Sequence, residues 1–378
     1  MTAVLVVNAG SSSLKLRVLS ADDEVTGGVD LAVTGGQADL AELKDAIGSL
    51  GTVGAAGHRI VHGGDIFSGP VLVDARVRQQ LGALVDLAPL HQPKSLAALD
   101  AVQALLPGVP AVACFDTAFH ATIPDAAATF ALPAEWRQRW TLRRYGFHGL
   151  SHAYVCRRAA SLLAARPRVV SCHLGAGASL AAVRDGRSVD TTMGFTPLDG
   201  LVMATRSGSV DPGLLLWLEE HAGTPPAELA ATLEYRSGLY GLAGTGDMRE
   251  VLSRAAAGDS RAVLAREVYL HRLRALVASM AAAMDGLDAL VFTGGVGENS
   301  AEVRSRAMAG LGFLGVREDA ARNADGGGDR EIGATGTAVR TLVIAAREDL
   351  EIVRQVRQVL GAVAPANQLR PERGDVQS

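Results

Sequence analysis

Cysteine and net charge are both scarce in this sequence, and each scarcity excludes a class of protein. The three cysteines, Cys114, Cys156 and Cys172, are odd in number and have no metal-ligand spacing. We therefore expect reduced thiols in a cytoplasmic protein and no disulfide framework. The formal net charge is only −4. It offers no electrostatic basis for binding a polyanion, so we expect no nucleic acid partner.

A membrane span and a secretory signal are also lacking. The best candidate for a span, residues 265–287, carries Arg266, Glu267, Arg272 and Arg274 in its first half. These charges predict a long core helix with a charged face, so we expect no association with a membrane. The first residues follow a strand pattern at once, without the basic region or the small-residue cleavage pattern of a secretory signal.

Three widespread catalytic and nucleotide-binding motifs are missing as well. The sequence has no G-x-x-x-x-G-K-[ST] motif, so a P-loop fold is not expected. Residues 175–177 lack the third glycine of a dinucleotide fingerprint and precede a strand pattern, which argues against a Rossmann fold. No G-x-S-x-G elbow is present, which weakens the case for a serine hydrolase.

Two strand–turn–strand segments of similar pattern are the most informative feature that is present. Residues 4–7 are apolar, small residues 9–13 follow, and a second strand pattern carries Lys15; residues 169–183 repeat this order. Turns of glycine and serine let an anion approach backbone N–H groups. Any exposed turn has a similar composition, but the second copy favours phosphate binding. We therefore expect a duplicated architecture with two phosphate loops that face one another.

Strand and helix patterns alternate along the chain, which predicts an α/β fold. Ligands of such folds collect beyond the carboxyl ends of strands, where Asn8, Asp116, His173 and residues 294–299 are expected. The predicted strands are residues 4–7, 14–19, 54–64, 111–115, 169–173, 180–183, 289–293 and 341–345. The predicted helices are residues 76–87, 96–106, 151–164, 212–221, 226–234, 249–256, 263–284 and 349–360.

Individual polar residues in these segments are candidates for chemistry. Arg59 and Arg206 lie in glycine-containing, otherwise apolar stretches, which favours anion binding over a solvated surface charge. Asp116 ends an apolar strand, where a carboxylate needs a cation, a metal or a catalytic role. Glycines near His148 indicate close approach of a ligand, although a core histidine fits too. His91 is equally compatible with an ordinary helix terminus.

Phosphate chemistry needs a cation, usually magnesium held by one or two carboxylates. Glu348 and Asp349 follow an apolar strand and are a plausible source. An acidic pair in the first turn of a helix explains them equally well, because the helix dipole favours it. Residues 295–300 are compatible with nucleotide binding at a helix N-terminus and with an ordinary capped loop.

Together these segments resemble the acetate kinase family, and the resemblance extends from residue 4 to about residue 354. The segments that carry it are residues 6–15 (VVNAGSSSLK), 115–120 (FDTAFH), 144–149 (RYGFHG), 193–200 (MGFTPLDG) and 295–300 (GVGENS). Their number, length and order make a chance match very improbable.

The resemblance implies the fold shared by acetate and sugar kinases, Hsp70 and actin. That fold has two similar ribonuclease-H-like α/β domains, each with a five-stranded mixed sheet, around an interdomain nucleotide cleft. It implies an N-terminal domain of residues 1–118 plus 350–378 and a C-terminal, nucleotide-binding domain of residues 119–349. A homodimer is implied as well.

The implied reaction is reversible transfer of the ATP γ-phosphoryl group to acetate, which gives acetyl phosphate and ADP. By the family pattern, Arg59 would bind the carboxylate and Asp116 would be the catalytic carboxylate. His148 and Arg206 would stabilise the transferring phosphoryl group.

The same resemblance implies the residues that bind the metal, the substrate and the nucleotide. Asn8 and Glu348 would serve magnesium, or manganese in its place. The substrate pocket would comprise Arg59, Val61, Leu90, His91, Phe147 and Pro197. The nucleotide would contact Ser11, Ser13, Lys15, His173, Leu174, Gly175, Ala176, Gly177, Asp247, Met248, Arg249, Gly295, Val296, Gly297, Glu298 and Asn299.

Some positions depart from the family pattern. Ala176 stands where the second phosphate loop usually has asparagine, and Gln92 replaces the usual asparagine after His91. Residues 345–347 replace the usual Pro-Thr-Asn/Asp before Glu348.

Two rival interpretations stay open. A propionate or butyrate kinase of the same family differs by methylene groups, each worth only about 1–3 kcal/mol of discrimination. A non-catalytic, ATP-dependent clamp of the Hsp70 or actin type would need no carboxylate pocket.

Overall fold

The computed structural model describes residues 2–10, 13–33 and 39–367. Ser11, an expected nucleotide contact, lies outside the described residues. The chain divides into two compact units, Met1–Ala118 with Glu348–Ser378 and Phe119–Arg347. The second boundary falls before Glu348, so this residue belongs to the first unit and not, as expected from the sequence, to the second.

The secondary structure alternates between strands and helices in both units. The strands are β1 (Val4–Ala9), β2 (Ser13–Leu19), β3 (Val25–Ala32), β4 (Ala55–Ile60), β5 (Val71–Leu72), β6 (Ala111–Phe115), β7 (Val169–Leu174), β8 (Ala178–Arg184), β9 (Arg187–Thr191), β10 (Ala289–Thr293), β11 (Arg330–Glu331) and β12 (Arg340–Val343). The helices are α1 (Leu40–Ser49), α2 (Ala75–Ala83), α3 (Gln92–Leu105), α4 (Asp125–Ala128), α5 (Ala134–Trp140), α6 (Gly149–Leu163), α7 (Pro212–Ala222), α8 (Pro226–Tyr235), α9 (Gly238–Ala243), α10 (Met248–Ala256), α11 (Ser260–Ala282), α12 (Gly294–Asn299), α13 (Ala301–Ala309), α14 (Ala320–Ala324) and α15 (Glu348–Asn367).

The first unit is built on a mixed sheet with the strand order β3-β2-β1-β4-β6-β5. β1, β2 and β3 are antiparallel, β4 and β6 continue parallel to β1, and β5 closes the edge antiparallel to β6. Leu5 and Val7 of β1 pack in a core with Leu43 of α1 and Val102 of α3. On β4, a side chain at Gly57 would overlap Ile352 of α15, so glycine permits that helix to approach the sheet.

The second unit repeats this arrangement with the order β11-β12-β10-β7-β8-β9. β7, β8 and β9 are antiparallel, β10 and β12 run parallel to β7, and β11 is the antiparallel edge. The prediction of an α/β fold with two similar domains is confirmed. The expected five strands per sheet are wrong, because each sheet has six within the described residues. β5 and β11 are two residues long, too short to show a period-2 pattern.

Several elements differ from the prediction for local reasons. The strand expected at residues 54–64 ends at Ile60, and the chain then turns with Gly64 at a φ of +60°. β3 was not predicted because it contains two glycines and no buried position. α13 was missed because it follows α12 directly and begins after the capping residue Ser300.

The segment considered as a membrane span and the three cysteines each have a defined place in the fold. α11 occupies the segment considered as a span, and no helix in the described ranges is long and apolar enough to cross a membrane. Cys114, Cys156 and Cys172 are free and buried. Burial raises the pKa of each thiol above its usual value, so these side chains are unreactive core residues.

Candidate active site

Three parallel strands of the first unit bring polar side chains to one edge of its sheet. Asn8 lies near the end of β1, Arg59 near the end of β4, and Asp116 directly after β6. Because these strands are adjacent and parallel, their carboxyl ends meet. Glu348, the first residue of α15, joins this cluster.

Hydrogen bonds connect the four residues of the cluster. The guanidinium of Arg59 donates from Nε to both oxygens of Asp116 at 3.1 Å and from Nη2 to Oδ2 at 2.5 Å. Its Nη1 donates to Asn8 Oδ1 at 3.1 Å, and Asn8 Nδ2 donates to Glu348 Oε2 at 3.1 Å. The planar fork of Arg59 is therefore oriented by a carboxylate on one side and an amide on another.

Burial opposes both charges of the Arg59–Asp116 pair. It lowers the pKa of Arg59, but the carboxylates of Asp116 and Glu348 outweigh it and hold that pKa above its usual value. For Asp116, burial raises the pKa against the opposing pull of Arg59, and Glu348 raises it further. The side chain of Asp116 is only 1% exposed, so its charge depends on this one guanidinium.

The donor set of Asn8 and Glu348 fits magnesium chemically. Magnesium prefers oxygen ligands and usually takes one or two protein groups, with waters and phosphates completing the shell. Asn8 brings an amide oxygen and Glu348 a carboxylate, and the bond from Asn8 Nδ2 to Glu348 Oε2 holds the two side chains next to each other. In the described residues, no group of three or more His, Cys, Asp or Glu side chains forms a cage for a metal.

The β1–β2 hairpin places two further predicted residues near this edge. Gly10 N donates to Ser13 O at 2.8 Å and closes the turn. Lys15 lies opposite Asn8 across the two strands, which puts both side chains on the same face of the sheet. Lys15 is exposed, as a cation that meets a ligand from solution must be.

The predicted residues of the substrate pocket are divided between the units. Val61 is buried, Leu90 is 45% exposed and His91 occupies the N-cap position of α3, all in the first unit. In the second unit, Phe147 is buried and Pro197 half-buried.

Gln92, a departure from the family pattern, is part of this framework. Its fully buried side chain accepts from His62 N at 3.1 Å and donates to His62 O at 3.0 Å. This pair of bonds fixes the backbone immediately after Val61. The sequence showed the departure but not its partner.

In the second unit, Arg206 also has a carboxylate partner. Its Nε donates to Glu234 Oε1 at 2.7 Å, and Thr205 Oγ1 donates to Glu234 O at 2.8 Å. Glu234 is 6% exposed and lies near the end of α8. Sequence analysis missed it, because a glutamate near a helix end gives no local sign of a partner 28 residues away.

His148 and Arg206 approach the second glycine turn from two sides. A Cβ built on Gly177 would lie 3.4 Å from His148 Nε2 and 3.4 Å from Arg206 Nη1. His148 has a φ of +56° and stacks on His173 with 4.5 Å between ring centroids. The imidazole of His148 and the guanidinium of Arg206 therefore both reach the β7–β8 turn, where the sequence predicts that phosphate binds.

A cavity of about 450 Å³ lies beside this turn within the second unit. Predicted nucleotide contacts form much of its wall, namely Gly175, Ala176, Asp247, Met248, Arg249, Gly295, Val296 and Asn299. Tyr269, which sequence analysis did not select, also lines it and is 3% exposed. The volume suits a small organic ligand.

The remaining predicted contacts surround the cavity wall. His173, Leu174 and Gly177 belong to the adjacent β7–β8 hairpin, and Gly297 is buried in α12. Glu298 accepts hydrogen bonds from the N–H groups of Gly294 and Ala346, both at 2.9 Å. Its carboxylate therefore holds the start of α12 in place.

Comparison with known proteins identifies the family. The model of the acetokinase family matches residues 27–354. The acetate kinase of Shouchella clausii (strain KSM-K16) is 42% identical over 94% of this chain and 98% of its own length. The acetate kinase of Nostoc punctiforme is 47% identical over 83% of this chain and 78% of its own length.

Solved structures show the same relationship. A propionate kinase from Francisella tularensis superposes with a TM-score of 0.89 at 38% identity, over 95% of this chain and 100% of its own. The acetate kinase of Porphyromonas gingivalis superposes with a TM-score of 0.88 at 34% identity, over the same shares. Because they cover 95% of this chain, these likenesses extend over both units. The chain therefore belongs to the acetokinase family, whose members are phosphotransferases.

Proposed function

We propose that this chain is an acetate kinase, which transfers the γ-phosphoryl group of ATP reversibly to acetate and forms acetyl phosphate and ADP. The observation that carries the proposal is the cluster of Asn8, Arg59, Asp116 and Glu348 at the carboxyl edge of the first sheet. Family membership gives the reaction class, and this cluster supplies a guanidinium fork for a carboxylate.

The acceptor needs little activation. Acetate is already ionised at neutral pH, so the demands are charge neutralisation and in-line alignment. Arg59 is proposed to bind the carboxylate, and Asp116 is the proposed catalytic carboxylate that orients this guanidinium. The methyl group would contact the predicted apolar residues Val61, Leu90, Phe147 and Pro197.

The transferring phosphoryl group needs donors where its charge develops. His148 Nε2 and Arg206 Nη1 both reach the Gly177 turn, and Glu234 orients Arg206. These two side chains are proposed to stabilise the phosphoryl oxygens. The nucleotide would occupy the 450 Å³ cavity of the second unit. Lys15 is proposed as a contact of the nucleotide phosphates.

Asn8 and Glu348 would hold magnesium, or manganese, in this scheme. When bound, the metal would neutralise part of the charge on the ATP phosphates. We further propose that the second unit is the nucleotide-binding domain, and that the chain acts in the cytoplasm as a homodimer. Light scattering of the purified chain tests the dimer.

Hydroxamate formation from ATP and acetate tests the function directly. We expect turnover that requires magnesium and is abolished in Asp116→Asn, which keeps the size of the side chain but removes its charge. ATP hydrolysis without hydroxamate formation would contradict the proposal and favour the alternative of an ATP-dependent clamp of the Hsp70 or actin type.

The similarity to a propionate kinase supports one alternative substrate. The ratio of kcat/KM for acetate, propionate and butyrate decides between them. We expect acetate to be preferred, and a preference for propionate would reassign the substrate without changing the mechanism.

A further inference from the structure

A chain of hydrogen bonds leads away from His148 into the core of the second unit. His148 Nδ1 lies 2.9 Å from Ser179 Oγ, and the same oxygen lies 2.9 Å from His152 Nε2. His152 Nδ1 in turn lies 2.9 Å from Ser171 Oγ. Ser179, His152 and Ser171 are all 0% exposed, so water does not compete for these bonds.

The position of each proton in this chain follows from the role proposed for His148. Ser179 has one proton and lies between two ring nitrogens, so it can donate to only one of them. If His148 donates to a phosphoryl oxygen from Nε2, its neutral ring must accept at Nδ1. Ser179 then donates to His148 and accepts from His152 Nε2. His152 Nδ1 is left as the acceptor of the Ser171 hydroxyl.

We propose that Ser179 and His152 are positioning residues that keep the proton of His148 on Nε2, where it meets the phosphoryl group. The inference deepens the proposed function and rests on the role of His148 in it. Stacking on His173 and the backbone at φ +56° fix the ring of His148 in space. The hydrogen-bond chain adds the choice of tautomer.

Burial supports this arrangement. It lowers the pKa of His152 well below its usual value, and the neighbouring rings of His120 and His173 lower it further. His152 is therefore neutral at physiological pH and carries a single ring proton. A ring with one proton transmits a choice of tautomer, whereas a doubly protonated ring would donate at both ends.

A matched pair of variants at His152 tests the proposal through activity. The amide of glutamine reaches the place of Nε2, and the shorter asparagine reaches that of Nδ1. We expect His152→Gln to keep most of kcat, because its amide still donates to Ser179. His152→Asn should lower kcat about 10- to 100-fold, with unchanged KM values for ATP and acetate. This range is typical when a residue is lost that orients another side chain through a hydrogen bond. The exposed His271→Gln is the control and should change nothing.

The opposite order of these two variants would mean that His152 serves only to anchor Ser171, and it would overturn the inference. If neither variant folds, Ser179→Ala tests the same bond from the β8 side. It should lower kcat with the same unchanged KM values.

Nitrogen-15 NMR of histidine-labelled protein measures the tautomer without any substrate. The His148 signal is assigned by its loss in His148→Gln. We expect the Nε2–H tautomer in the unmodified protein and a mixture in Ser179→Ala. An Nδ1–H tautomer in an active kinase would refute the proposed positioning role of Ser179 and His152. An inactive protein with the Nε2–H tautomer would instead refute the proposed function, while the positioning of the His148 proton by Ser179 and His152 would still hold.

Discussion

In the first unit Asn8 faces Lys15 across β1 and β2, and in the second His173 faces Ser179 at the matching positions of β7 and β8. The first pair offers an amide and an exposed cation to a ligand. The second offers an imidazole and a buried hydroxyl that bonds two other histidines. The same pairing of strands thus holds an exposed lysine in one unit and a buried, hydrogen-bonded serine in the other.

The connections after the hairpins differ as well. Between β3 and β4 the described chain contains α1, whereas α7 to α11 lie between β9 and β10. The 450 Å³ cavity is lined largely by this longer connection and by the start of α12. The two units therefore share one sheet plan and differ in the side chains at the strand ends and in the helices inserted between the strands.

Removing Arg59 should have the largest effect, because the first unit depends on an ion pair. Arg59→Ala leaves Asp116 buried without its counter-ion, and such a break costs about 3–5 kcal/mol. We expect the free energy of unfolding in urea to fall by about that amount, with loss of kinase activity.

The double variant Arg59→Ala/Asp116→Asn is the matched control. It removes the unpaired charge, so it should recover much of the stability and none of the activity. If the single and double variants lose the same free energy of unfolding, the unpaired charge of Asp116 is not the cause of the instability.

Removing Arg206 of the second unit should affect catalysis more than stability. Arg206→Ala is expected to lower kcat by about 10²–10³, as for loss of one charge-stabilising donor. Arg236→Ala, at an exposed pair with Glu228, is the control and should leave kcat unchanged. A near-normal turnover of Arg206→Ala would remove this residue from the mechanism.

Acid should destabilise both units through buried neutral histidines. Burial lowers the pKa of His58 in the first unit and of His120 in the second to about 4, against 6.5 for an exposed histidine. Below pH 6.5 the unfolded chain binds protons that the folded chain does not. The stability is therefore complete above pH 6.5 and falls as the pH is lowered towards 4, by up to about 3 kcal/mol per histidine.

Urea unfolding at several pH values measures this slope. His120→Asn should reduce the slope, since one titrating group is gone. An unchanged slope would assign the acid sensitivity to other groups.

The smallest effect is expected from restoring the family residue in the second phosphate loop. Ala176 is exposed and lines the cavity, so Ala176→Asn adds an amide without a clash. A new hydrogen bond to a charged phosphate should lower the KM for ATP about tenfold, which corresponds to about 1.5 kcal/mol. Ala176→Ser has a shorter donor, so its KM for ATP should lie between those of the unmodified protein and Ala176→Asn. An unchanged KM in both variants would mean that the phosphates do not bind at this turn.

Sequence reasoning predicted the strands that matter because each is a short apolar run with a polar end. The run before Asn8 and the run before Asp116 are both central strands of the first sheet, so their ends had to meet. Arg59, His148 and Arg206 were selected by their glycine-containing sequence contexts, and the resemblance to the family added their expected roles.

Partners distant in the sequence were not predictable. Glu234 and Gln92 look like ordinary helical residues, and only packing places one against Arg206 and the other against the backbone of His62. Nothing in the sequence around His152 indicates a bond to Ser179.

The order of apolar and polar residues by itself determined two α/β units and the sheet edges at which the predicted ligand-binding groups lie. That information is local, because hydrophobic periodicity is written in consecutive residues. Only the tertiary structure decided which carboxylate orients which arginine and which hydroxyl lies between two imidazoles. Those choices depend on distances of a few ångströms between residues far apart in the chain, and packing alone sets such distances.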